Sequence, residues 1–136
     1  MKKFLVIGHL CVDVFGERES PAAGKTDGGI RWGGIFFSLG TLANLAEDAI
    51  IFPIFGVGTE EYEPLLERLR RYSNVDPSGI FSLPGPTNTV YLLSQNDEQR
   101  VECSKSIAPS IPLQHIEPHL PADAILVNMI SGFDLT

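Results

Sequence analysis

At 136 residues the chain has room for one domain of roughly 100–200 residues, and a hydrophobic content of 43% with eight Phe, three Tyr and one Trp is enough to build a core. The formal charge of −7 is spread thinly along the sequence, which argues against nucleic acid or an anionic membrane as partner and favours a small polar ligand. Met1-Lys2-Lys3 before an apolar stretch has the look of a signal peptide. Gly8, His9 and Asp13 interrupt that stretch, no Ala-x-Ala-like site follows, and no later segment approaches the ~18 apolar residues of a membrane span. The expected location is the cytoplasm, where Cys11 and Cys103, matching no disulfide or metal spacing, stay as free thiols.

Phe4-Leu5-Val6-Ile7, continued by Leu10-Cys11-Val12 toward Asp13, predicts a buried first strand. From Gly16 to Gly34 the chain turns to Gly, Pro, Ser and charge, a peripheral excursion anchored by Ile30 and Trp32. Apolar positions 35, 39, 42 and 46 then follow helical spacing, so a helix starts after Gly33-Gly34. Ile50 to Phe55 reads as a strand, with Pro53 calling for an edge or a bulge because it donates no ladder hydrogen bond. A second helix is predicted from Glu60 to Tyr72, acidic early and basic late, with Pro64 requiring its place near the first turn. Thr89–Ser94 and Arg100–Ser104 predict a β-hairpin, and Ala124 to Ile130 a last strand. Strands alternating with helices predict an α/β fold on a mostly parallel sheet, with the hairpin and the excursion forming a small β layer.

Three motifs fall short of their chemistry. Ala22-Ala23-Gly24-Lys25-Thr26 ends like a phosphate-binding loop, but Glu19 stands where the first glycine belongs and Asp27-Gly28-Gly29 blocks the following helix. Gly56-Val57-Gly58 lies between a strand and a helix, yet Glu61 replaces the third glycine of a dinucleotide fingerprint and its carboxylate would repel a pyrophosphate. His115 and His119 are spaced as a metal pair on a helix, with Pro118 between them and no third ligand, and read as surface histidines. Asp13 at a strand end and Gly33-Gly34 before a helix are better candidates. Ligands of open α/β sheets bind beyond the carboxyl ends of the strands, where a carboxylate accepts hydroxyl hydrogens and paired glycines admit a ligand close to the backbone.

Taken in order, Phe4-Leu5-Val6-Ile7-Gly8 leading to Asp13, Pro21-Ala22-Ala23-Gly24-Lys25-Thr26, Gly33-Gly34-Ile35-Phe36-Phe37-Ser38, and Val57-Gly58-Thr59-Glu60 resemble the N-terminal pattern of the ribokinase-like (PfkB-type) carbohydrate kinases. The resemblance covers nearly the whole chain. It implies the N-terminal half of a Rossmann-like ribokinase fold, a single partial domain at 1–136 with its core at 1–13, 34–84 and 109–136 and a β lid at 14–33 and 85–108. It implies a substrate site at Asp13, Gly33, Gly34 and Ser38, with Ser38 in place of the family's asparagine and Cys11 in place of a polar residue. The implied function is the sugar-binding part of an ATP-dependent kinase acting on a sugar or nucleoside hydroxyl; the alternative is a non-catalytic sugar-binding or dimerising remnant. ATP and Mg are implied by the family, but the residues that bind them, and the Gly-Ala-Gly-Asp-type motif that carries the catalytic base, are not in this sequence. The isolated chain is therefore expected to be inactive, with no catalytic, cofactor-binding or metal residues of its own. A half sheet with an open edge also predicts a homodimer, through the lid or that edge, or poor solubility.

Overall fold

Phe4 to Ile7 is too short and too β-prone for a helix, and its side chains are wanted on both faces of a sheet. A computed structural model, which describes residues 1–17, 30–96 and 99–135, places them in the central strand β1 (Lys2–Gly8). β4 (Ala49–Val57) pairs with β1 in parallel on one side and β8 (Ala124–Asn128) in parallel on the other. β5 (Ile80–Ser82) pairs with the end of β4, giving the order β5-β4-β1-β8. Leu5, Val6, Ile51, Ile54 and Phe55 are fully buried at its centre.

The single strand expected to run on to Asp13 is two strands. The chain turns at His9 and enters a second sheet through β2 (Leu10–Glu17), which pairs with β3 (Trp32–Gly34) and with β6 (Asn88–Asn96), itself paired with β7 (Gln99–Lys105). The last residue before the turn, Gly8, has φ 157° and lies so close to its ladder partner Asn128 that a Cβ there would sit 3.0 Å from the Asn128 carbonyl carbon. The two sheets, one wholly parallel in its core and one small and mixed, are the α/β architecture that alternating strands and helices predict.

Helix α1 (Ile35–Leu45) begins directly after the glycine pair, as expected, and buries Ile35, Leu39 and Ala43. Helix α2 (Thr59–Leu69) ends three residues before Tyr72, and Pro64 lies in its second turn. Both Pro64 and Glu60, whose carbonyl loses its helical partner, are exposed, so solvent can reach the unpaired carbonyl. Pro53 sits in an internal strand and not at an edge. Its missing N–H points to the β5 side, the side on which Ile51 bonds Asn74, and there residues 77–79 form a short 3-10 turn that offers no ladder partner.

The face of the parallel sheet away from α1 is covered by two 3-10 turns at 113–115 and 117–119. His115 stacks on Phe81 at 3.8 Å between ring centroids, and His119 lies 5.4 Å from Phe52. The two histidines expected at the surface are thus half-buried caps on aromatic rings. β8 is not covered: Ile125 and Val127 on one face are 51% and 44% exposed, and Leu126 on the other is 41% exposed.

Candidate functional site

The candidate site forms where the two sheets meet, beyond the carboxyl ends of β1 and β8 and at the N-terminus of α1. Side chains two apart along a strand share a face, so the register of the second sheet determines which residues look inward. Cys11 lies opposite Asn88, Asp13 opposite Val90, which in turn pairs with Ser104, and Phe15 opposite Leu92, which pairs with Glu102. These rows form one wall of a cavity of about 380 Å³, closed on the other side by Gly34, Phe37, Ile107, Ile130 and Ser131. A larger cavity of about 760 Å³ shares Asp13, Phe15 and Phe37 but extends over Arg31 and the outer surface of α2. The smaller one is the better candidate because polar groups from several elements converge on it inside an otherwise apolar lining.

Asp13 is half-buried, its N–H donating to the Arg31 carbonyl at 2.8 Å. Its carboxylate rests directly on Gly33: a Cβ there would stand 2.5 Å from the Asp13 carboxyl carbon. Gly33 therefore matters through the space it leaves. Gly34 has φ 60°, a conformation open to glycine, and a Cβ would lie 2.8 Å from the His9 carbonyl oxygen and 3.2 Å from the Cys11 sulfur. That same His9 carbonyl accepts the first helical N–H of α1, from Ile35, at 3.1 Å. The Cys11 thiol donates to Asp13 Oδ1 at 3.4 Å. Burial first, and then the neighbouring Asp13 carboxylate, push this thiol up to about 12, so it is a neutral and unreactive member of the wall. Cys103 is exposed on β7; both cysteines are free.

Asp13, Gly33 and Gly34 are thus brought together. Ser38 is not among the residues lining this cavity. It lies one turn along α1, where its hydroxyl accepts a hydrogen bond from the Asn128 side chain at 2.8 Å and ties the helix to the end of β8. Pro21 to Thr26 lie outside the described residues.

Sequence reasoning missed Asn88, Glu102 and Ser104, which reach the cavity through strand register alone. Asn88 is buried and its side-chain oxygen accepts the Ala108 N–H, joining the start of β6 to the segment that follows β7. Next to it Thr87, also buried, accepts the Gly58 N–H at 2.8 Å and donates to Glu61 at 2.8 Å, fixing the start of α2. A hydrogen-bonding residue just before an alternating strand is too common a pattern to have singled these out.

No protein-family model and no curated protein sequence matches this chain. Solved structures do. The chain is similar to a pyrophosphate-dependent kinase in the ribokinase family, with a TM-score of 0.69 and 14% identity over 98% of this chain and 43% of that one. It is similar to a nucleoside kinase of Methanocaldococcus jannaschii, an archaeal member of the ribokinase family, with a TM-score of 0.57 and 14% identity over 98% of this chain and 47% of that one. An uncharacterized sugar kinase from Pyrococcus horikoshii matches with a TM-score of 0.57 and 20% identity over 78% of this chain and 34% of its own. The chain has the fold of the ribokinase family along nearly its full length, and it spans less than half the length of these neighbours.

Proposed function

We propose that this chain is the N-terminal, acceptor-binding part of a kinase that phosphorylates a hydroxyl of a sugar or nucleoside. The observation that carries the reading is the Asp13 carboxylate seated on Gly33 at the wall of an inter-sheet cavity, beside Gly34 at the start of α1. A carboxylate accepts hydrogen bonds from two or more hydroxyls and so orients a polyol, while Gly33 makes room for that carboxylate and Gly34 lines the cavity beside it. Asp13, Gly33 and Gly34 would hold the acceptor, with Ser38 acting through Asn128 on the shape of the strand end. On this reading 1–13, 34–84 and 109–136 are the core of the partial domain, and 14–33 and 85–108 its β lid.

Phosphoryl transfer depends on positioning and on stabilising charge. Among the described residues no group of three His, Cys, Asp or Glu could hold a metal ion. No step is assigned to ATP or Mg; the chain's own work on this reading is to bind, orient and shield the acceptor. The groups for transfer would lie in the other part of the fold.

The test is to mix the chain with a separately expressed C-terminal half of a ribokinase-fold enzyme and to assay phosphorylation of a sugar and nucleoside panel. Because one fold neighbour is described as pyrophosphate-dependent, both ATP and pyrophosphate are supplied as donors. Phosphorylation that Asp13→Ala abolishes supports the proposal; no phosphorylation with either donor counts against it. The second reading, a non-catalytic sugar-binding or dimerising remnant, is favoured by β8, whose two faces are both exposed and apolar. Calorimetric binding of a polyol, lost in Asp13→Ala and without any transfer in the mixing assay, selects it. No described helix is long and apolar enough to cross a membrane.

A further inference from the structure

Two buried ionisable side chains have no part in the site as described so far. His9, 1% exposed, sits at the turn between the two sheets, and Asp134, fully buried, lies in the loop after β8. His9 Nε2 is 3.0 Å from the Pro109 carbonyl, which can only accept, so this nitrogen donates. His9 Nδ1 faces Asp134 Oδ1 at 3.4 Å and has no well-aligned hydrogen-bond partner among the described residues. Asp134 in turn accepts from the Ile130 N–H at 3.0 Å, the Ser131 N–H at 2.9 Å, the Ser131 hydroxyl at 2.8 Å and the Gly132 N–H at 3.1 Å. Burial alone would raise this carboxyl. The donors from Ile130 and Ser131, and His9 beside it, outweigh burial and hold it below the usual carboxylate value.

Ile130 and Ser131, whose N–H groups Asp134 collects, line the candidate cavity next to Cys11 and Asp13. A Cβ on Gly34 would lie 3.2 Å from the Cys11 sulfur and 3.4 Å from the Ile130 side chain, so the three residues meet at one point of the wall. The lid's return segment joins the same knot: Ile111 N–H donates to the Asp134 carbonyl at 2.7 Å. His9 therefore touches, through its ring and its backbone, the start of α1, the return from the lid and the loop after β8.

We infer that the buried His9–Asp134 contact positions the Ile130–Ser131 wall of the cavity: His9 holds the start of α1 and the Pro109 carbonyl, and Asp134 gathers the N–H groups of 130 to 132 against the His9 ring. Both residues are positioning residues; neither is placed to touch a ligand. Their consequence for acceptor binding rests on the cavity being the acceptor site, as proposed above. The wall itself is tested below by a measurement that uses no acceptor, so the two readings fail separately.

The experiment uses the full chain with Cys103→Ser, which leaves Cys11 as the one thiol, and follows its alkylation by iodoacetamide through intact mass. In the parent the reaction is slow, because Cys11 is buried and its thiol neutral. Asp134→Ala and His9→Phe are each expected to speed it by about tenfold or more, since removing one member strands the other in the interior and the wall opens locally. That faster rate should stay flat in urea below the unfolding transition, and the double variant should gain no more than the faster single one. If Asp134→Ala does not fold, Asp134→Asn, which keeps an acceptor for the loop, takes its place with the same expectation. An unchanged alkylation rate in a folded variant, a rate that climbs with urea as global unfolding does, or additive effects overturns the proposal.

Discussion

Gly33→Ala is the most informative single change. Its Cβ would lie 2.5 Å from the Asp13 carboxyl carbon, about 1 Å short of the ~3.5 Å at which carbon atoms meet comfortably. Something must move. Asp13 is half-buried and its side chain can rotate, so the carboxylate gives way and the loss of stability is small, about 1 kcal/mol, at the low end of overpacking costs. The site suffers more than the fold does. Cys11 reports this without any ligand: an ionised carboxylate 3.4 Å away disfavours the thiolate and accepts the thiol hydrogen, so moving it lowers the thiol's titration from about 12. Burial, the larger cause, remains, and the titration should stay above the ordinary 9.0. Thiolate ultraviolet absorbance in the Cys103→Ser background measures it. Gly34→Ala is the control. Its Cβ would meet the backbone oxygen of His9 at 2.8 Å with φ at 60°, and backbone strain alone costs about 1–3 kcal/mol. A Gly33→Ala chain that titrates like its parent, or that loses as much stability as Gly34→Ala, refutes the placement of the carboxylate.

Three further outcomes are expected. Because the folded chain holds the Cys11 proton up to about 12 against an ordinary 9.0, it binds more protons than the unfolded chain in that window. Stability should therefore be intact below 9.0 and fall as pH rises, by at most about 1.4 kcal/mol per pH unit from this group, and Cys11→Ala should remove that part of the slope in urea melts. Thr87→Val should cost about 1–3 kcal/mol in chemical denaturation, since it leaves the buried Gly58 N–H without its acceptor; a neutral result would mean that the contact is not formed in solution. Val127→Lys, on the open strand β8, should change unfolding by less than about 0.5 kcal/mol while reducing self-association seen by light scattering. A parent chain that is already a clean, heat-stable monomer would remove the case for a dimer through this edge.

Much of the fold could be read from local pattern. The apolar runs of β1, β4 and β8 and the 3.6-residue spacing of α1 are properties of neighbouring residues, and the glycine pair marks the start of α1 because a backbone at φ 60° excludes other side chains. Asp13 and Gly33-Gly34 each stand out in the sequence as candidates, but that the carboxylate packs on Gly33 shows only in the structure. What could not be read is whatever depends on two distant segments meeting. Gly8 and His9 interrupt the apolar run locally, but that the chain switches sheets there, with Gly8 packed against the carbonyl of Asn128, 120 positions away, shows only in the tertiary structure. Pro53 asks for an unpaired side, and only the turn at 77–79 shows that an internal strand can provide one. Asn88, Ser104 and Glu102 enter the cavity through pairing register, and His9 finds Asp134 across the whole chain, because register and burial are set when sheets assemble and leave no mark on the residues beside them.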